Sequence, residues 1–185
     1  MTTENTSLAQ VRALRKVRQN REYTSEPVSE SDLHELLEVA RWSGSSQNTQ
    51  PWHFIVVTDR DALRAIGNAR ASINWVGDAP LAIAIVLNGS KEVSEAYDEG
   101  RVTERLLIAA KLLGLGAGTA WIGEPPQQAE IKKLLGIPEE RTLRSVVVIG
   151  HPQTEATHKL GRKTSGRKPL EELVSYGTFG QHSPS

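Results

Sequence analysis

Two short stretches of this chain concentrate side chains that could act on a ligand. The first is Arg18-Gln-Asn-Arg21-Glu-Tyr23-Thr-Ser-Glu-Pro27-Val28, in which two arginines bracket Gln19 and Asn20. Guanidinium forks pair well with phosphate. The second is Gly44-Ser-Ser-Gln-Asn-Thr-Gln-Pro-Trp-His-Phe54, a glycine-led run of hydroxyl and amide side chains that ends in Pro51-Trp52. Such a run can serve simply to cap a helix and start a strand. Its density of amide donors and acceptors exceeds what capping needs, and the proline fixes its exit.

Other chemistries lack their residues. No Gly-x-Gly-x-x-Gly opens a helix after a strand; Gly114-Leu-Gly-Ala-Gly118 falls on the wrong side, between a helix and a strand. There is no Walker loop, no Gly-x-Ser-x-Gly and no His-Glu-x-x-His. The histidines His34, His53, His151, His158 and His182 show no metal-ligand spacing, so no metal is expected. The absence of cysteine removes thiolate nucleophiles, disulfides and iron–sulfur clusters. No residue stands out as a general acid, and the catalytic residues stay unassigned.

Lys plus Arg and Asp plus Glu number 22 each, so the chain is neutral overall. Arg12, Arg15, Lys16, Arg18 and Arg21 make one segment basic, which reads equally as a solvated helix face. Zero net charge and few aromatics argue against nucleic acid as a partner. The first residues hold no apolar signal core, and the longest apolar run, Leu81 to Leu87, is far short of the roughly 20 residues a membrane span requires. A cytoplasmic protein with no membrane contact, folded as a single domain over 1–185, is the expectation.

The elements that must carry these stretches follow from periodicity. Leu8, Val11, Leu14 and Val17 predict a helix over 7–19. Ser29 and Asp32 make a capping start, and Leu33, Leu36, Leu37 and Ala40 predict a helix that stops near Ser43-Gly44. Phe54 to Val57 reads as a strand and Asp61 to Ile66 as a short helix. Leu81 to Leu87 does not alternate, as expected of a strand covered on both faces. Val102, Leu106, Ala109, Ala110 and Leu113 form the stripe of a longer helix ended by Gly114. Gly116 to Ile122 is the next strand, with small residues that permit close backbone approach. Pro126 opens a helix over Gln127–Leu135, and Val146 to Ile149 is a further buried strand. Residues 151–168 are polar and aperiodic, Pro169 to Val174 starts a short helix, and Tyr176 to Ser185 reads as an unstructured tail. Core packing is expected for most of Trp42, Trp52, Trp75 and Trp121, Trp52 being the one in a functional context. The pattern is that of one α+β or α/β domain.

In chain order these stretches resemble the FMN-dependent nitroreductase superfamily. Arg18–Val28 and Gly44–Phe54 match its two N-terminal signatures. The likeness continues through Gly114–Gly123, Leu135-Gly-Ile-Pro138, Val146–Pro152 and Arg167-Lys-Pro-Leu-Glu-Glu172, so it covers nearly the whole chain. It implies an α+β fold: a central, mostly antiparallel sheet flanked by helices, with a C-terminal extension that reaches a dimer partner. It implies FMN as cofactor, with Arg18, Arg21 and Arg167 on its phosphate and ribityl chain and Gln19 and Asn20 adding polar contacts. Ser45, Ser46, Asn48 and Gln50 would serve the flavin, the first three reaching across from the partner subunit of a homodimer. Ile122 and Gly123 would set backbone against the ring near N5.

The implied activity is NAD(P)H-dependent reduction of small electrophiles such as nitroaromatics or quinones, by alternating hydride transfer through the flavin. Alternatives are a dehalogenase or metabolite dehydrogenase, or an FMN-binding protein without turnover; a deazaflavin is an alternative donor. Val17 stands where relatives often carry Arg, and Gln19 where Ser is common. The stretch from Asn88 to Gly100 is short, which implies a more open flavin or a cover supplied by the 153–166 loop.

Overall fold

A computed structural model describes residues 3–153 and 166–181. The sheet is organised around β2 (Leu81–Leu87), all seven of whose residues are buried. β2 pairs antiparallel with β1 (Trp52–Val57) on one side and β4 (Thr142–Gly150) on the other, and β3 (Gly116–Trp121) pairs antiparallel with β4. The order is β1-β2-β4-β3, so β1 and β3 are the two edges. This is the antiparallel α+β arrangement expected.

The non-alternating run of β2 is explained by cores on both faces. Leu81, Ile83, Ile85 and Leu87 pack with Val147 and Ile149 under Leu36 and Ala40 of α2 (Glu30–Arg41) and Val102, Leu106 and Ala110 of α4 (Glu92–Leu112). Ala82, Ala84 and Val86 face the opposite way, with Val146 and Val148, toward Leu63 and Ile66 of α3 (Arg60–Asn68) and Ile131 of α5 (Pro125–Leu134). Side chains alternate sides along a strand, so a strand buried on both sides must be apolar throughout. The β2–β4 register shifts between Ala84 and Val86, leaving an extra β4 residue near Arg144-Ser145, a bulge.

Several boundaries differ from the periodicity. The first helix, α1 (Thr3–Leu14), starts four residues before the expected helix over 7–19 and ends five residues short of it. Its chain leaves through tighter turns (Arg15 N–H to Arg12 O, Lys16 N–H to Ala13 O), because the next residues are taken up by β3: Asn20 N–H donates to Ala117 O at 2.7 Å. α4 begins at Glu92, well ahead of its apolar stripe. Its first turns bury carboxylates instead: Glu95, Asp98 and Glu99 are all under a tenth exposed. β4 starts at Thr142 rather than Val146. α5 begins at Pro125, one residue early, and 169–174 holds only a single 3-10 turn, Leu170–Glu172. α2 matches its signals, with Ser29 Oγ accepting from Asp32 N–H at 3.0 Å.

The tryptophans meet the expectation of core packing only in part: Trp75 and Trp52 pack against the two cores, and the other two do not. Trp42 is 69% and Trp121 45% exposed, while Trp52 and Trp75 are half-buried. Trp42 follows the end of α2 and lies under the Arg41 guanidinium, and Trp121 ends an edge strand, so neither reaches a core. The proposed cover at 153–166 and His158 and His182 lie mainly or wholly outside the described residues. No helix among the described residues is long and apolar enough to cross a membrane, and no cluster there could hold a metal ion.

Candidate functional site

The arginine-rich segment is laid along β3. Besides the Asn20–Ala117 bond, Gln19 Oε1 accepts from Thr119 N–H at 3.2 Å. Further on, Thr24 N–H donates to His151 O and Gln153 N–H to Glu22 O, so the segment also joins the chain leaving β4. Tyr23 is buried beneath it and donates its hydroxyl to Asn20 O at 2.6 Å. Burial pushes that phenol well above its ordinary range, against the opposing pull of Arg21, so it remains a neutral donor. The small residues of β3 are what admit the segment. A Cβ on Gly118 would lie 2.4 Å from Asn20 O, and one on Gly116 would meet Asn20 Cβ at 3.0 Å.

The arginines then divide. Arg18 and Arg167, from opposite ends of the chain, line one groove of about 550 Å³ together with Arg12, Arg15 and Lys16. Among the described residues, no carboxylate lines it. Arg18 also donates to Arg15 O and Val17 O at 2.7 and 2.6 Å. Arg21 lies instead over the Trp75 ring, 5.6 Å from its centroid. Asn20 is buried, its Oδ1 accepting from Glu22 N–H at 2.9 Å, so its side chain is engaged within the segment.

Ile122 and Gly123 follow the end of β3. The Ile122 side chain is wholly buried and its N–H donates to Arg144 O at 3.0 Å, so the amide of Gly123 is the nearer backbone donor for a ligand. Gly123 has φ +121°, a conformation few side-chain-bearing residues adopt. Beside it, Gln127 Oε1 is buried with no hydrogen-bond donor among the described residues. The sequence reading missed Gln127, and nothing in its helical context could have marked it.

The Gly44–Pro51 loop is built differently. Ser46–Asn48 makes a 3-10 turn, and Gln47, Asn48 and Gln50 have φ of 53°, 56° and 45°. Three non-glycine residues in this region within four positions is an expensive backbone, of order 1–3 kcal/mol each, and such strain gathers at ligand sites. Ser45 Oγ accepts from Gln50 N–H at 2.9 Å, and Asp98 of α4 accepts from Ser46 N–H with both carboxylate oxygens, at 3.1 and 3.2 Å. The side chains of Ser46, Asn48 and Gln50 remain exposed. This loop leads into β1, whereas Arg18–Asn20 and Gly123 flank β3. The two are opposite edges, three strand spacings or roughly 14 Å apart. One chain thus brings Arg18, Gln19, Asn20, Arg167, Ile122 and Gly123 to one edge, and carries Ser45, Ser46, Asn48 and Gln50 to the other.

A protein of Archaeoglobus fulgidus that carries the provisional name NADH dehydrogenase/NAD(P)H nitroreductase is 36% identical over 143 residues, 73% of this chain and 80% of its own. The family model described as the nitroreductase family matches residues 14–93, which include both N-terminal segments. The chain belongs to the nitroreductase family. A Bacillus subtilis member named FMN reductase [NAD(P)H] is 27% identical over 80% of this chain and 68% of its own. Among solved structures, a provisionally named nitroreductase from Desulfovibrio desulfuricans, in complex with FMN, superposes with TM-score 0.78 at 27% identity, covering 91% of this chain and 96% of that one. The nitroreductase fold therefore extends over nearly the whole chain.

Proposed function

We propose that this nitroreductase-family member is an FMN-dependent oxidoreductase that works as a homodimer in the cytoplasm. The observation that carries the reading is the groove where Arg18 and Arg167 meet Arg12, Arg15 and Lys16, because five converging cations suit a phosphate dianion. FMN, when bound, supplies the redox chemistry, taking electrons from NAD(P)H and passing them to a small electrophile such as a nitroaromatic or a quinone.

The chain's own residues bind and orient. Arg18 and Arg167 hold the phosphate, while Arg21, over Trp75, lies outside their groove. Gln19 and Asn20 serve chiefly by seating that segment on β3. The backbone at Ile122-Gly123 would lie against the ring, and the buried Gln127 oxygen beside it, without a donor among the described residues, would suit a flavin N–H. Ser45, Ser46, Asn48 and Gln50 lie on the wrong edge for their own chain's cofactor and serve the partner's, which makes the dimer the working unit. Exposed Trp42, Val93, Tyr97 and Leu112, on or beside α4, supply apolar surface for such a partner.

The test is the visible spectrum of the purified protein, followed by NADPH or NADH without oxygen. Flavin bands that bleach support the reductase. A protein that stays colourless after incubation with FMN overturns it. Bound flavin that does not bleach leaves binding without this turnover.

A further inference from the structure

α4 holds the strained loop with one face. Asp98, with a side chain only 2% exposed, takes Ser46 N–H; Arg101 pairs with Asp98 at 3.2 Å and reaches Gly44 O at 3.5 Å; Arg105 donates to Trp42 O at 2.7 Å. These positions are three and four residues apart, so they share one side of the helix. Asp98 is the buried member and the one that touches the turn where positive φ begins. A carboxylate is costly to bury unless its acceptors are used, and backbone N–H groups are effective partners.

We infer that Asp98 is a positioning residue for cofactor binding: its carboxylate clamps Ser46 N–H and holds Ser45, Ser46 and Asn48 in the shape that meets the flavin. The role in cofactor binding rests on the function proposed above; the clamp itself does not. A loop with three residues at unfavourable φ relaxes when its tether is cut, because among the described residues only Asp98 holds the Ser46 amide. The loop would then have to be reordered each time FMN binds, and affinity falls without loss of the fold.

Ser46→Pro offers the matching cut from the other side. It deletes that one N–H, and the backbone accepts it: Ser45 is extended (φ −129°, ψ 160°), as a residue before proline must be, and Ser46 opens the turn. Ser46→Ala removes the hydroxyl alone and serves as the control.

Two measurements decide the matter. In the FMN-free protein, amide hydrogen exchange at Ser46 should speed up about tenfold or more in Asp98→Ala and stay near wild type in Ser46→Ala. FMN affinity should fall by about five- to a hundred-fold in Asp98→Ala and in Ser46→Pro, with the double variant no weaker than the worse single. Asp98→Asn, which keeps one carbonyl acceptor without the charge, should sit between, and it stands in if the alanine variant does not fold. Unchanged exchange in Asp98→Ala overturns the clamp, and losses that add in the double variant overturn its link to cofactor binding. If the wild type takes up no FMN, the reading of function has failed and the cofactor role goes with it, while the exchange measurement still decides the clamp.

Discussion

The segment from Arg18 to Thr24 and the loop from Gly44 to Pro51 lie at opposite edges of one sheet and are held by opposite means. The first is seated by main-chain bonds to Ala117 and His151, over the buried Tyr23, against glycines whose missing Cβ atoms make the room. Its place is part of the fold, and it cannot leave without opening the core. The second is exposed, conformationally costly and tethered by the hydroxyl of Ser45 and the carboxylate of Asp98. Its shape can be lost while the sheet stays intact. The contrast fits the proposed division of labour, in which each chain anchors its own cofactor with the first region and completes its partner's with the second.

The strongest way to break that contrast is Gly118→Val. The new Cβ would fall 2.4 Å from Asn20 O, so the arginine segment must lift from β3. We expect purified protein without flavin, and a loss of about 1–3 kcal/mol in urea unfolding, as for an overpacked core. Stability lost with flavin retained would separate the seat from the site.

Arg18→Ala and Arg167→Ala should act next, and differently. Both side chains line the cationic groove, so each should weaken FMN by about tenfold or more while leaving riboflavin, which has no phosphate, almost unaffected. Fluorescence titration with both flavins reads the ratio. Equal losses for the two would place the phosphate elsewhere.

Glu95 sharpens the comparison from the helix that carries the clamp. Burial alone would raise its pKa, but the N–H groups of Gly89, Lys91 and Ser90 and the Ser90 hydroxyl outweigh burial and lower it. A group with a depressed folded pKa contributes stability in full above its unfolded pKa and loses it as pH falls through the folded one. Glu95→Gln should therefore cost about 1–2 kcal/mol at neutral pH, and the deficit should shrink on acidification below the ordinary carboxylate range. Urea titrations of both proteins across acidic pH give the curve, and a pH-independent deficit would refute the ionic account.

The smallest effect belongs to the loop itself. Gln47→Gly removes a side chain at φ 53°, which should raise stability by about 0.5 kcal/mol, glycine's gain there being offset in part by its freer unfolded chain. The same change loosens the loop, so FMN affinity should fall slightly as the melting temperature rises. A melting temperature that falls instead would show that the Gln47 side chain stabilises the turn.

Much of this was legible before any coordinates. The unbroken apolar run at 81–87 required a strand covered on both faces, since any exposed face would have shown polar alternation. Ser29 and Asp32 marked α2 to within a residue, because capping is a local bond between neighbours. The small residues at 116–118 announced close backbone approach. What they could not announce was that Asn20 is the visitor, because that contact joins residues about a hundred positions apart. For the same reason the first helix ended earlier than its pattern: the bond to Ala117 competes for residues whose local spacing favours helix. Gln127, and the buried carboxylates at 95, 98 and 99, were invisible for a related cause. Their sequence looks like the polar face of an ordinary helix, and only packing shows which polar atoms have been taken from water and what they hold. The residue types by themselves determined most of the elements and the two polar segments; the tertiary structure alone decided that those segments sit on opposite edges, because strand order is set by long-range pairing that no local pattern encodes.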